Sequence, residues 1–129
     1  MLIDIEHGDE VCVLRLSGHF RTGEDLDYVS SKSDQIRSHD CKKMLVDLRE
    51  LQSIGSMGMG FIAGVYVFVT RRPAGGRFIL VGANQRVRRG LDLTRLSTII
   101  PLTEDMASGL ASLDRESPAE HRENPAAST

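Results

Sequence analysis

The sequence predicts an α/β domain, a mixed sheet of about five strands packed with four helices. Met44–Val46 and Phe78–Val81 are short apolar runs of the kind that strands buried on both faces show. Between them lies an apolar segment of helix length, Met57 to Arg72, and parallel neighbours need such a crossover. Ahead of them, Leu2–Glu6 and Val11–Leu16 alternate apolar and polar residues around His7-Gly8-Asp9-Glu10, the pattern of an antiparallel hairpin.

Taken in order, Gly18 closes the second strand and Thr22 is placed to cap a helix. Glu24, Asp25 and Asp27 fall in its first turns, Leu26, Val29 and Ile36 face the core, and it ends near Ser38. Met44–Leu48 is the third strand. The next segment holds Val65, Tyr66, Val67 and Val69, which favour strands, yet it exceeds a usual strand in length, and Arg71, Arg72 and Pro73 close it as a helix closes. Pro73-Ala74-Gly75-Gly76 turns the chain into the fourth strand. Asn84 then caps a helix through about Leu93, with Val87, Leu91 and finally Leu96 inward and Arg86, Arg88 and Arg89 outward. Ile99 and Ile100 make a short last strand before Pro101. Thr103-Glu104-Asp105 opens a final helix, Met106–Leu113, anchored by Leu110 and Leu113. From Asp114 onward no apolar residue is larger than Ala, so residues 1–113 are expected to form one domain and 114–129 a disordered tail.

Composition excludes several function classes. The net charge of -2 conceals seven arginines against the single acid Asp92 in residues 71–95. Such a cluster could meet phosphate or an acidic partner, but arginines on solvated helix faces are commoner and aromatic residues for base stacking are scarce, so no nucleic-acid partner is expected. Asp4, Glu6 and Asp9 interrupt any signal peptide, and Phe61–Val69 is too short to span a bilayer. A cytoplasmic protein without membrane insertion is expected. Cys12 and Cys41 are too few for a disulfide framework and read as two free thiols. His7, His19, His39 and His121 show no ligand spacing to one another or to the cysteines, so neither a metal nor another cofactor is expected. Gly58–Ala63 fits G-x-G-x-x-A, but no acid follows near Val81 for a ribose, and Ile54 breaks any G-x-S-x-G elbow. These residues do not describe an enzyme.

The most informative stretch is D-L-R-E-L-Q-S-I-G-S-M-G-M-G, Asp47 to Gly60. Gly55, Gly58 and Gly60 open the backbone around one hydroxyl, Ser56, where a strand hands over to a helix. A purely structural role for Ser56 is a helix N-cap, bonding the amide of Gly58 or Met59 and contributing about 1 kcal/mol. Asp47, at the end of a buried strand, is expected to satisfy loop amides. The helix that follows is apolar nearly all round, with Phe61, Val65 and Phe68 on one side and Met59, Gly60, Ala63, Gly64 and Val67 toward the other, as a well-buried helix is.

This stretch resembles the STAS domain of anti-sigma-factor antagonists. There a strand-end Asp, a Leu, a second apolar residue three further on, and Asp-Ser-Ser/Thr-Gly-Leu-Gly come in this order. Asp47, Leu48, Leu51, Ile54, Ser56, Gly58 and Gly60 fall on the pattern, with Met59 standing for the Leu. Gly55 replaces the usual Asp and Met57 the second hydroxyl. Gly75–Gly82 and Val87–Thr94 resemble the later strand and helix, so the likeness covers roughly residues 1 to 113. It implies a non-enzymatic interaction switch. The unphosphorylated form would bind an ATP-using anti-sigma serine kinase through Gly55, Met57, Gly58, Met59 and Gly60 and free a sigma factor, and phosphorylation of Ser56 would disfavour the complex. The alternative is a STAS subunit of a regulatory or lipid-transport assembly that binds without phosphate, and a homo-oligomer stays open in either case.

Overall fold

A computed structural model of the chain describes residues 2–8, 10–20, 26–39, 41–71 and 75–114. The elements are β1 (Leu2–His7), β2 (Val11–Phe20), α1 (Leu26–Arg37), β3 (Lys43–Ile54), α2 (Ser56–Thr70), β4 (Arg77–Val81), α3 (Gln85–Leu93), a 3-10 turn at Leu96–Thr98, β5 (Leu102–Thr103) and α4 (Met106–Asp114). The sheet is ordered β1-β2-β3-β4-β5. β1 and β2 are antiparallel, and every other neighbouring pair is parallel. This is the expected mixed five-stranded sheet with four helices. Thr22, Glu24 and Asp25, the Arg72–Pro73 helix closure and the tail from Arg115 lie outside the described residues.

Strand periodicity explains the two layers. Alternate residues face opposite sides, so Cys12, Leu14, Met44, Val46, Leu48, Phe78 and Leu80 join one core with Val29 and Ile36 of α1, Ile62 and Val65 of α2, and Val87 and Leu91 of α3. The other parity, Leu45, Ile79 and Val81, packs under Leu113 of α4. Gly109 permits that approach, because a methyl group there would run into Val81 and Leu45. Arg77 reinforces it by donating to the carbonyl of Ser112 at 2.9 Å. On the first layer, Tyr28 of α1 accepts from the Ile3 amide at 2.9 Å and so holds the edge strand.

Several expectations need correction. β2 runs on past Gly18, whose positive φ of 84° falls at a register irregularity rather than at a strand end. β3 continues past Leu48 to Ile54. The last strand is Leu102–Thr103, not Ile99–Ile100. The chain after α3 tightens into the 3-10 turn behind Arg95, the one described non-glycine residue at positive φ, which leaves Ile99 exposed and Ile100 buried. Pairing with β4 starts only at Pro101, which lacks an amide hydrogen but accepts from Leu80 at 3.0 Å. Leu110 is 41% exposed, so Leu113 alone of the two expected anchors is buried, and α4 runs to Asp114. Cys12 and Cys41 are not free thiols but a disulfide with Cα atoms 5.9 Å apart. Parallel pairing places Cys12 opposite Met44, close to where the chain enters β3 from Cys41.

Asp47 is not at a strand end but in mid-β3, 3% exposed, on the face that α4 covers only in part. Arg49 donates to it from Nε at 2.9 Å, from a terminal nitrogen at 3.0 Å and from its amide at 3.1 Å. Arg15, its register partner on β2, brings a second guanidinium to 3.6 Å. Burial pushes the Asp47 carboxyl upward, but the Arg49 hydrogen bonds and the charges of Arg49 and Arg15 outweigh it and hold the group below its ordinary value. A carboxyl depressed in the folded state stabilises fully above its unfolded pKa, and that contribution is lost as pH falls through the folded value. Asp47→Asn should therefore cost about 1–2 kcal/mol near neutral pH, the Arg49 partner being half exposed and screened. The gap between the two proteins in urea melts should shrink below about pH 4; a gap independent of pH would contradict the assignment.

Candidate functional site

The position of Ser56 results from the irregular second half of β3. Arg15 pairs with Asp47 but Ser17 with Glu50, and Gly18 pairs with Leu51 but His19 with Ser53, so β3 gains a residue on β2 at each step. Each extra residue is a bulge that reverses the facing of the strand beyond it and adds twist. That is why Leu48 and Leu51, three apart, both reach the core, at 0% and 1% exposure. The strand reaches Ile54 opposite Phe20, and one residue later the helix begins.

Gly55, not Ser56, is the N-cap of α2. Its backbone is extended (φ -99°, ψ -172°), it supplies no side-chain cap, and its carbonyl accepts the Met59 amide at 3.0 Å. Ser56 is the first helical residue and is exposed. Helix geometry gives first-turn amides such as those of Met57 and Gly58 no intrahelical acceptor, and aligned peptide dipoles make this end partly positive. No acid in the first turn offsets it. The position is chemically suited to a group that acquires negative charge.

The loop is held from both sides. Asn84, the N-cap of α3, accepts from the Val87 amide at 2.8 Å and donates its amide hydrogens to the carbonyls of Leu51 and Gln52 at 3.1 and 3.3 Å. One side chain thus caps a helix and ties it to the end of β3. On the other side His19 and Ser53 share a hydrogen bond of 2.8 Å across the β2–β3 pair.

The expected docking residues do not all reach the surface. Met57 is half-buried and Gly60 exposed, but Gly58 and Met59 are buried. The Met59 side chain packs against Gly90 and reaches the hydroxyl of Thr94, binding α2 to α3. A residue four positions before Ala63 on an apolar helix gives no warning of this, because α2 is apolar on every side and the inward face is decided by α3. The outward stripe is instead Ser56, Gly60, Gly64 and Val67, at helical spacing. Added side chains at Gly60 or Gly64 would meet nothing within 4 Å. Beside this stripe a shallow groove of about 90 Å³ runs between α2 and α1, with Ser33 and Arg37 on its far wall.

Among known proteins, the STAS domain family matches residues 3–109. The anti-sigma F factor antagonist of Paenibacillus polymyxa is 30% identical over 113 residues, 87% of this chain and 94% of the relative. An anti-sigma factor antagonist from Mycobacterium paratuberculosis superimposes with a TM-score of 0.75 at 20% identity, over 88% of this chain and 94% of the other. The Bacillus cell fate determinant SpoIIAA, solved in its phosphorylated form, does so with a TM-score of 0.66 at 18% identity, over 88% and 100%. At such identities the structural matches speak for the fold.

The geometry of Gly55 yields a direct test of the loop. Its φ is negative, so a larger residue adds no left-handed strain, and an Asp there could accept a first-turn amide as N-caps do. Gly55→Asp should raise stability by about 0.5–1 kcal/mol, from capping and a less mobile unfolded chain. A lower denaturation midpoint would mean that the loop needs the freedom of glycine.

Proposed function

Because this chain belongs to the STAS domain family of anti-sigma-factor antagonists, we propose that it is a non-enzymatic switch that docks on an anti-sigma serine kinase and releases a sigma factor. Ser56 is the residue that kinase phosphorylates. The observation that carries this reading is an exposed hydroxyl at a helix N-terminus with no acid in its first turn, flanked along the helix by Gly60 and Gly64, which let a partner's backbone come close. Phosphate adds roughly -1.5 to -2 charges there. The helix end tolerates it, so the domain stays folded while the docking face changes sign. Gly55, Met57 and Gly60 line the partner, and Gly58 and Met59 support them from below. Among the described residues no helix is long and apolar enough to cross a membrane, and a switch of this kind works in the cytoplasm.

Gly55 and Met57 favour a second reading, in which the chain binds constitutively as a subunit of a regulatory or lipid-transport assembly. Gly55 offers no side chain that could help to position the Ser56 hydroxyl, and poor positioning slows transfer. Incubation with ATP and the anti-sigma kinase, read by intact mass and site mapping, separates the two. One phosphate on Ser56, absent from Ser56→Ala, is expected; phosphate on Ser53 or Thr103, or none, contradicts the switch. Gly60→Arg should abolish kinase binding while shifting stability by no more than about 1 kcal/mol, since the position is open and arginine is the better helix former. Retained affinity would move the interface off this helix face.

A further inference from the structure

A second cluster of reactive side chains lies at the opposite end of β3 from Ser56. His7 ends β1, Cys12 is the second residue of β2, and Cys41 lies just ahead of β3, so the sheet brings together residues that are apart in the chain. The His7 Nδ1 is 3.7 Å from the Cys12 sulfur and 3.9 Å from the Cys41 sulfur. Tetrahedral Zn²⁺, with bonds of about 2.3 Å to sulfur and about 2.0–2.1 Å to nitrogen, requires nitrogen–sulfur separations of about 3.6 Å. The imidazole nitrogen therefore stands near ligand distance from each sulfur, and once the disulfide is reduced the two sulfurs have to part to the roughly 3.8 Å that two thiolates on one tetrahedral zinc require.

The surroundings fit a soft divalent cation. Both cysteines are buried, at 4% and 2% exposure, while His7 is exposed, so an ion would enter from the imidazole side. The His39 ring stacks on that of His7 with centroids 3.6 Å apart, which fixes the plane of the ligating ring. His39 is itself fixed, its Nδ1 donating to the Gln35 carbonyl at 2.9 Å. Outer contacts that hold a ligand's orientation are a regular part of metal sites.

We propose that the reduced chain binds one zinc ion, or a cation of like softness, through Cys12 Sγ, Cys41 Sγ and His7 Nδ1, with a fourth position open to water. The disulfide and the metal site are alternative states of the same two sulfurs. A dithiol reductant transfers two electrons and two protons to the Cys12–Cys41 bond, becoming a disulfide itself and leaving two thiols. Zinc then displaces both thiol protons as the two sulfur bonds form. Paired cysteines of intracellular proteins are held reduced and serve more often as ligands than as cross-links. That step alone leans on the compartment proposed above; the affinity of the reduced chain for zinc does not.

The test uses the full chain, reduced with a dithiol and desalted without oxygen. Titration with Co²⁺, read by thiolate-to-cobalt absorption, and with Zn²⁺ against a chromophoric chelator should each give one ion per chain. His7→Ala should weaken zinc binding by more than about 100-fold, the upper range for losing a merely outer contact, and His39→Ala by about 10-fold. Cys41→Ser should remove the thiolate absorption; should it fail to fold, His7→Ala, altered at an exposed residue, decides alone. Absence of stoichiometric binding to the reduced chain would overturn the proposal. So would binding that His7→Ala leaves unchanged.

Discussion

The structure depends on β3 being central and buried on both sides. A strand in that place needs partners along both edges and helices over both faces, which its neighbours β2 and β4 and the helices α2, α3 and α4 supply. Met44, Val46 and Leu48 serve one layer and Leu45 the other. Asp47 is the exception in this apolar strand, a charge kept in the sheet because Arg49 and Arg15 lie on the same face. The strand is also longer than its apolar run, and its two bulges deliver Gly55 and Ser56 to the sheet's edge at the point where α2 must start.

The two ends of that strand carry different chemistry. At its C-terminal end a hydroxyl sits on a partly positive helix terminus, tied down by the dual role of Asn84. At its N-terminal end two sulfurs and an imidazole nitrogen share one small volume. Between them lies the apolar core, so a change at one end need not disturb the proposed docking face at the other.

What could be read from the sequence divides along physical lines. Local signals succeeded: the crossover length of α2, the cap at Asn84, and the short apolar runs of β3 and β4. The fourteen residues from Asp47 to Gly60 located Ser56, although the cap proved to be Gly55, because a cap is defined by backbone angles that a hydroxyl does not reveal. Features that exist only after tertiary pairing failed. The Cys12–Cys41 bond needs the parallel β2–β3 register, and no spacing rule joins residues 29 apart. The resemblance puts Met59 at the surface, whereas α3 presents Gly90 to it and buries it. Leu51 breaks strand periodicity until the bulges are known, and Ile99–Ile100 reads as a strand because β propensity does not register the turn behind Arg95.

If negative charge on Ser56 closes the docking face, calorimetry will register it. The quantity is the affinity of the anti-sigma kinase for the unmodified chain and for the same chain phosphorylated stoichiometrically at Ser56. Binding should be weaker by at least about tenfold, or about 1.4 kcal/mol, in the phosphorylated form. Equal affinities, with both forms folded, would show that charge at this helix terminus does not govern docking.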